Sequence, residues 1–246
     1  MLAPRHGSPT LPAYAGQMAR PPRIQLDDVP LHLVQRGHNR AACFFDNEDF
    51  EFYLHWLGAA LVEHECRLHA YVLMTNHVHL LLTPPRHGCV AKLFMSIGRR
   101  YVRFINKKYG RSGTLWDSRY RSSLVQADDY LMHCYRYVEL NPVRAHMVQA
   151  PGEYRWSSFR ANALGERHPL ITPHPLFTGL GKYPDERRAA YRSLFGHHLS
   201  DDLLHTIRNA LNHNKPVGNS DFLHKVEELT KIACTVNPPG RPRSQK

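Results

Sequence analysis

Residues 67–83 constrain the fold of this chain more than any other stretch. Arg67–Met74 (RLHAYVLM) and His77–Thr83 (HVHLLLT) are apolar runs separated only by Thr75-Asn76, and Pro84-Pro85 halts the second. Two such runs joined by two residues predict a β-hairpin of buried strands. Alternation puts His77 and His79 on one face and Val78, Leu80 and Leu82 on the other. Two imidazoles side by side on a strand form half of a metal site, although the run alone fits two hydrogen-bonded core histidines equally well. A two-residue turn sets Met74 opposite His77 and Val72 opposite His79. It sends His69 to the other face, as a structural residue.

The flanking patterns extend this hairpin into a sheet. Val29–Arg36 (VPLHLVQR) alternates as a first strand, followed by a Gly37-His38-Asn39 turn. Asp46 or Asn47 can cap a helix from Glu48 to about His64. Val90–Lys108 has one apolar stripe, Val90, Leu93, Phe94, Ile97, Tyr101, Phe104 and Ile105, and predicts the clearest helix of the chain. Tyr120–Val125 is the fourth strand, and a helix runs from Asp128 or Asp129 to about Asn141, where Pro142 follows. Strand–helix–strand twice over predicts an α+β fold, a ferredoxin-like antiparallel four-stranded sheet with helices packed on one face. Residues 1–22 are expected as a flexible tail, 23–164 as the main domain and 165–200 as a Pro/Gly-rich linker. Residues 201–234 form a helical extension (Asp201–Asn212 and Ser220–Ala233), and 235–246 a basic disordered tail.

Charge narrows the partner. The formal net charge is +11, which calls for an anionic partner, nucleic acid foremost. A membrane is disfavoured because no apolar stretch approaches the ~20 residues of a spanning helix. Cys43, Cys66, Cys89, Cys134 and Cys234 are odd in number and without a Cys-x-x-Cys pair. Neither a disulfide framework nor a thiolate zinc site is expected, and a reducing cytoplasm is the simplest compartment.

Near the end of the main domain lies a second informative segment, Tyr130–Asn141. Leu131, Cys134 and Val138 form its core stripe, and Tyr130, His133, Tyr137 and Asn141 line the adjacent face. Tyr137 and Asn141 are one turn apart. Periodicity alone favours an ordinary packing role for Tyr137, with its hydroxyl in water.

The segments HAYVLMTNHVHLLLTP, RYVRFINKKYGRSGTLWDSRYRSSLV, YRYVELNPVRAHMV and YRWSSFRA closely resemble the REP-associated tyrosine transposases. These belong to the single-tyrosine HUH transposases, named for His, hydrophobic residue, His. The resemblance runs from about Arg23 to Leu164. It implies a bacterial, metal-dependent endonuclease and strand transferase that acts on single-stranded or hairpin DNA, as a monomer or a homodimer. On this resemblance His77 and His79 are the metal pair, Asn141 is the third ligand, and Tyr137 is the nucleophile that forms a phosphotyrosine. Tyr130 and Tyr135 are its neighbours without that role. A non-catalytic hairpin-binding descendant is the alternative. Neutral ligands preserve the charge of the cation for an anionic substrate. Mg²⁺ prefers oxygen, and two histidines also suit Mn²⁺.

Arg99, Arg100, Arg103, Lys107, Lys108, Arg111, Arg119 and Arg121 concentrate charge around the second helix and the strand after it, with Tyr101, Tyr109, Trp116 and Tyr120 interleaved. Such a surface suits single-stranded or hairpin DNA. Arg241 and Arg243, in Gly-Arg-Pro-Arg, look like an AT-hook core for a minor groove, or else a solubilising tail. Glu227 and Glu228 argue against the last helix entering a major groove, so a packing or oligomerisation role is expected for the extension.

Overall fold

The computed structural model describes residues 23–235. Four strands, β1 (Leu31–Arg36), β2 (Arg67–Met74), β3 (His77–Thr83) and β4 (Arg121–Leu124), form an antiparallel sheet in the order β2-β3-β1-β4. Helix α1 (Asn47–Glu63) connects β1 to β2, and α2 (Cys89–Lys108) connects β3 to β4. This is the ferredoxin-like arrangement. The hairpin register is the expected one, with Met74 opposite His77 and Val72 opposite His79. Asp46 caps α1 in a reciprocal box with Asp49.

Alternation splits the sheet into two chemically different faces. Leu31, Leu33, Val78, Leu80 and Leu82 are fully buried on one, and Tyr71, opposite Leu80, shares this face with the α1 residues Leu54 and Gly58 around a common groove. Helix α2 packs beside α1 through Val90, Leu93, Ile97 and Tyr101. The other face carries His32, Val34, Arg36, His77, His79 and Arg121. Helix α3 (Ala127–Glu139) covers part of it. The sheet is therefore sandwiched, not covered on one face as expected. The reason is that α3 is apolar and half-polar residues alike are buried on it: Tyr135, Arg136 and Glu139 join Leu131, Cys134 and Val138.

The chain after α3 does that covering. A one-turn helix α4 (Asn141–Arg144) follows, then α5 (Pro175–Thr178), α6 (Pro184–Ser193), α7 (Asp201–His213) and α8 (Ser220–Thr230). Residues 165–200, expected as a surface linker, instead hold α5 and α6 and pack Phe177 and Tyr191 against Tyr135. Their Pro and Gly residues start and stop short helices rather than marking loose chain. The stretches on either side of this region close both sheet edges. Leu73 N–H donates to the Trp156 carbonyl beside β2, and Val217 N–H donates to the Leu124 carbonyl beside β4. Unpaired edge groups are thus satisfied internally. No described helix is long and apolar enough to cross a membrane.

Candidate active site

β3 sets His77 and His79 side by side, with ring centroids 5.0 Å apart. Each has its Nδ1 already engaged. His77 Nδ1 is 2.6 Å from Asn76 Oδ1, and Asn76 is itself oriented by donating Nδ2–H to the Arg40 carbonyl at 3.0 Å. An amide oxygen only accepts, so His77 carries its hydrogen on Nδ1. His79 Nδ1 is 2.8 Å from Nε2 of His32 on β1. Both Nε2 atoms remain without a hydrogen-bond partner among the described residues, on side chains that line one cavity. Burial, reinforced by the Arg36 guanidinium, lowers the pKa of His77 to about 4. Burial, with the neighbouring imidazoles, pushes that of His79 well below the usual value. Both rings are neutral near pH 7, the state a metal ligand requires.

Helix α3 brings Tyr137 to the same place. Its ring meets His32 at 5.4 Å and His79 at 5.9 Å between centroids, edge-on in both cases. Two residues later α3 stops, just ahead of Pro142, which has no N–H to continue it. Asn141, at that break, donates Nδ2–H to the Tyr137 carbonyl at 2.9 Å, and its Oδ1 stays uncommitted. Arg144 folds back, donating to the Tyr137 carbonyl at 2.6 Å with its guanidinium 4.4 Å from the Tyr137 ring centroid. Burial lowers the Arg144 pKa to about 10, which leaves it charged at neutral pH.

His77, His79, Tyr137 and Asn141 line a cavity of about 670 Å³, together with Arg36, Arg40, Arg119, Arg121 and Arg208. All come from one chain. The last residue of β1 is Arg36 and the loop after it supplies Arg40; Gly37 is required there, since a Cβ would stand 2.2 Å from the Ala41 carbonyl oxygen. Helix α7 supplies Arg208 and Asn212, and Arg121 donates to Asn212 Oδ1 at 2.5 Å.

Among the described residues no three His, Cys, Asp or Glu side chains converge on a metal-sized point. The donor set is two imidazoles and an amide. It fits a divalent cation all the same: both Nδ1 atoms are tied, and among the described residues neither Nε2 nor Asn141 Oδ1 has a hydrogen-bond partner.

The expected basic residues fall into two groups. Arg119 and Arg121 border the cavity. Arg99, Arg100, Arg103, Lys107 and Lys108 lie on α2, behind the opposite face of the sheet. Lys108 is held by Asp46, Glu48 and Asp49, the last at 3.0 Å, so its charge is spent inside the fold. Arg100 bonds Ser96 and lies over Trp56, and Arg111 lies over Phe45. Arg241 and Arg243 lie outside the described residues. His69 sits at an irregularity in β2 between Leu68 and Ala70, which interrupts the alternation that would place it. It bonds Thr83 Oγ1 and the Thr172 carbonyl, away from the cavity. Tyr135 is buried against Phe177 and Tyr191.

Sequence reasoning missed His32, Arg144, Arg36, Arg40 and Arg208. His32 had a signal, a histidine inside an apolar strand in phase with Arg36. Arg144 stands seven residues, two turns, beyond Tyr137. Arg208 had none, because only the return of α7 brings it in.

Residues 25–141 match the model of the family described as Transposase IS200 like. A solved structure of a REP-associated tyrosine transposase bound to a REP hairpin has the same fold, with a TM-score of 0.53 and 14% identity. The match covers 64% of this chain and 93% of that one. A second solved structure, from Deinococcus radiodurans, gives a TM-score of 0.35 and 17% identity over 53% of this chain and 94% of its own. No curated protein matches. The family match falls on the segment that carries His77, His79, Tyr137 and Asn141, and the chain shares its fold with the solved REP-associated tyrosine transposase.

Proposed function

We propose that this protein cleaves and rejoins single-stranded DNA beside a hairpin, through a phosphotyrosine on Tyr137. The observation that carries the reading is the meeting of Tyr137, His77, His79 and Asn141 in one cavity ringed by guanidinium groups. The hairpin is suggested by the related protein that was solved with one.

The guanidinium rim gathers the phosphate backbone. Tyr137 Oη attacks the scissile phosphorus, the bond to the 3′ oxygen breaks, and a 5′-phosphotyrosine and a free 3′-hydroxyl result. The phenol proton leaves to cavity water, and the departing oxygen takes one up. A 3′-hydroxyl can then reverse the step, so joining needs no nucleotide cofactor. His77, His79 and Asn141 would hold a divalent cation, Mg²⁺ or Mn²⁺, which when bound draws charge from the non-bridging oxygens of the phosphate. Arg144 fixes the tyrosine ring and keeps positive charge against it, where the phosphate must approach.

The test is a denaturing gel of end-labelled hairpin DNA incubated with Mn²⁺ and protein. Wild type should give a covalent adduct. Tyr137→Phe should give none while still binding the hairpin, and Tyr130→Phe and Tyr135→Phe should retain it. An adduct that persists in Tyr137→Phe refutes the nucleophile. No adduct in any protein, despite tight hairpin binding, supports the non-catalytic alternative.

A further inference from the structure

One imidazole lies beneath the cavity without belonging to the metal pair. His32 is on β1, opposite Leu81, on the face that carries His79. It is fully buried. Its Nε2 is 2.8 Å from His79 Nδ1, and the two rings stack at 5.1 Å.

A neutral imidazole carries a single N–H, so one of those two nitrogens donates to the other. The two arrangements have opposite consequences. If His79 Nδ1–H donates and His32 Nε2 accepts, the lone pair of His79 lies on Nε2, open to the cavity. If His32 donates, His79 must carry its hydrogen on Nε2, where it blocks coordination. His77 has the first arrangement, imposed by Asn76 and, behind it, the Arg40 carbonyl.

Packing alone does not account for a histidine here. His32 Nδ1 is buried with no hydrogen-bond partner among the described residues. Leaving a buried polar atom unsatisfied is costly. A leucine would fill the space without that cost, so the imidazole has to be explained by what its Nε2 does.

We propose that His32 is a positioning residue: by accepting the His79 Nδ1–H it holds His79 Nε2 open for a divalent cation, as Asn76 does for His77. This rests on the metal reading above. His32 itself is not a ligand, since its Nε2 is occupied by His79.

The test compares Mn²⁺ affinity, followed by electron paramagnetic resonance, in wild type, His32→Leu and His32→Gln. Co²⁺ absorption spectra and thermal unfolding are recorded for each. His32→Leu removes the acceptor and should weaken Mn²⁺ by roughly 10–100-fold and shift the Co²⁺ bands. His32→Gln places an amide oxygen near the lost Nε2 and should recover most of the affinity. Nitrogen-15 spectra of Zn²⁺-loaded wild type provide a readout that does not depend on a variant folding, with the hydrogen expected on Nδ1 of both His79 and His32. A folded His32→Leu that binds Mn²⁺ as wild type does, or a hydrogen found on His32 Nε2, overturns the proposal while leaving the metal site standing. Wild type that binds no Mn²⁺ overturns the metal reading and this proposal with it.

Discussion

Glu139 shows what a single buried side chain does to this protein. It sits at the end of α3 with no exposure, and accepts from Ser158 at 2.6 Å, Asn162 at 2.8 Å and Tyr191 at 2.6 Å. Burial outweighs those hydrogen bonds and raises its pKa to about 7. A raised folded pKa means that the folded state holds the proton more tightly than the unfolded one. The associated stability is complete below the unfolded value of about 4.5, and is lost as pH rises to about 7, a change of about 3 kcal/mol. Glu139→Gln should flatten that decline. Urea unfolding at pH 5 and pH 8, variant against wild type at each pH, measures it. The comparison is needed because the buried histidines act in the opposite sense. His32, lowered to about 3 by burial, favours folding above pH 6.5 and less so as pH falls. At the cavity, His77→Ala and His79→Ala should abolish Mn²⁺-dependent cutting but leave hairpin affinity nearly intact, since phosphate contacts come from elsewhere. Cleavage and gel-shift assays on the same preparations separate the two, and metal-dependent cutting by the double variant would refute the pair.

At the scale of elements, α2 and the cavity rim present two positive surfaces on opposite sides of one sheet. Arg99 and Arg103 on α2 are exposed and bond to nothing among the described residues, unlike Lys108. The cavity rim is a separate source of charge. Loss of a phosphate contact from either surface should lower the slope of log affinity against log salt by about 0.7–0.9. The two surfaces part in their effect on chemistry. Arg119→Ala, on the rim, should slow single-turnover cleavage at saturating DNA. Arg103→Ala with Lys107→Ala should weaken binding but leave that rate unchanged. An unchanged salt slope for the α2 pair would show that those charges only face solvent. The helical break at Pro142 belongs to the same scale. By ending α3 it lets Asn141 turn its amide back onto the Tyr137 carbonyl and brings Arg144 over the ring.

On the scale of the whole molecule, the segment after Leu164 is part of the core. Phe177 and Tyr191 pack on Tyr135, Tyr191 bonds Glu139, and the Asn214–Val217 stretch closes the β4 edge. Phe177→Ala should therefore cost about 3–5 kcal/mol, as for a large aromatic removed from a core. It should lower a single cooperative urea transition rather than split it. A loss below about 1 kcal/mol, the scale of surface substitutions, would return this segment to the role of a linker. The same segment bears on the site, because α7 lends it Arg208 and Asn212.

Local pattern determined much of this protein. β2 and β3 match the apolar runs residue for residue, since a two-residue turn and strict alternation leave one register that buries both. The pairing of His77 with His79, and of Tyr137 with Asn141 one turn on, was legible for the same reason: strand and helix periods are local. Their assignment to metal and nucleophile came from resemblance, because periodicity cannot tell a ligand from a core residue. Tertiary structure alone decided which charges point at the chemistry. Tyr135, Arg136 and Glu139 fall outside the Leu131, Cys134 and Val138 stripe and are buried because α5 and α6 return across them. Lys108 reads as a free cation and is neutralised by the start of α1, 59 residues earlier at its closest partner in sequence. His32 and His79 are 47 residues apart, and their hydrogen bond exists only because β1 lies between β3 and β4. Contacts of that range are set by the packing of whole elements, which no window of local sequence contains.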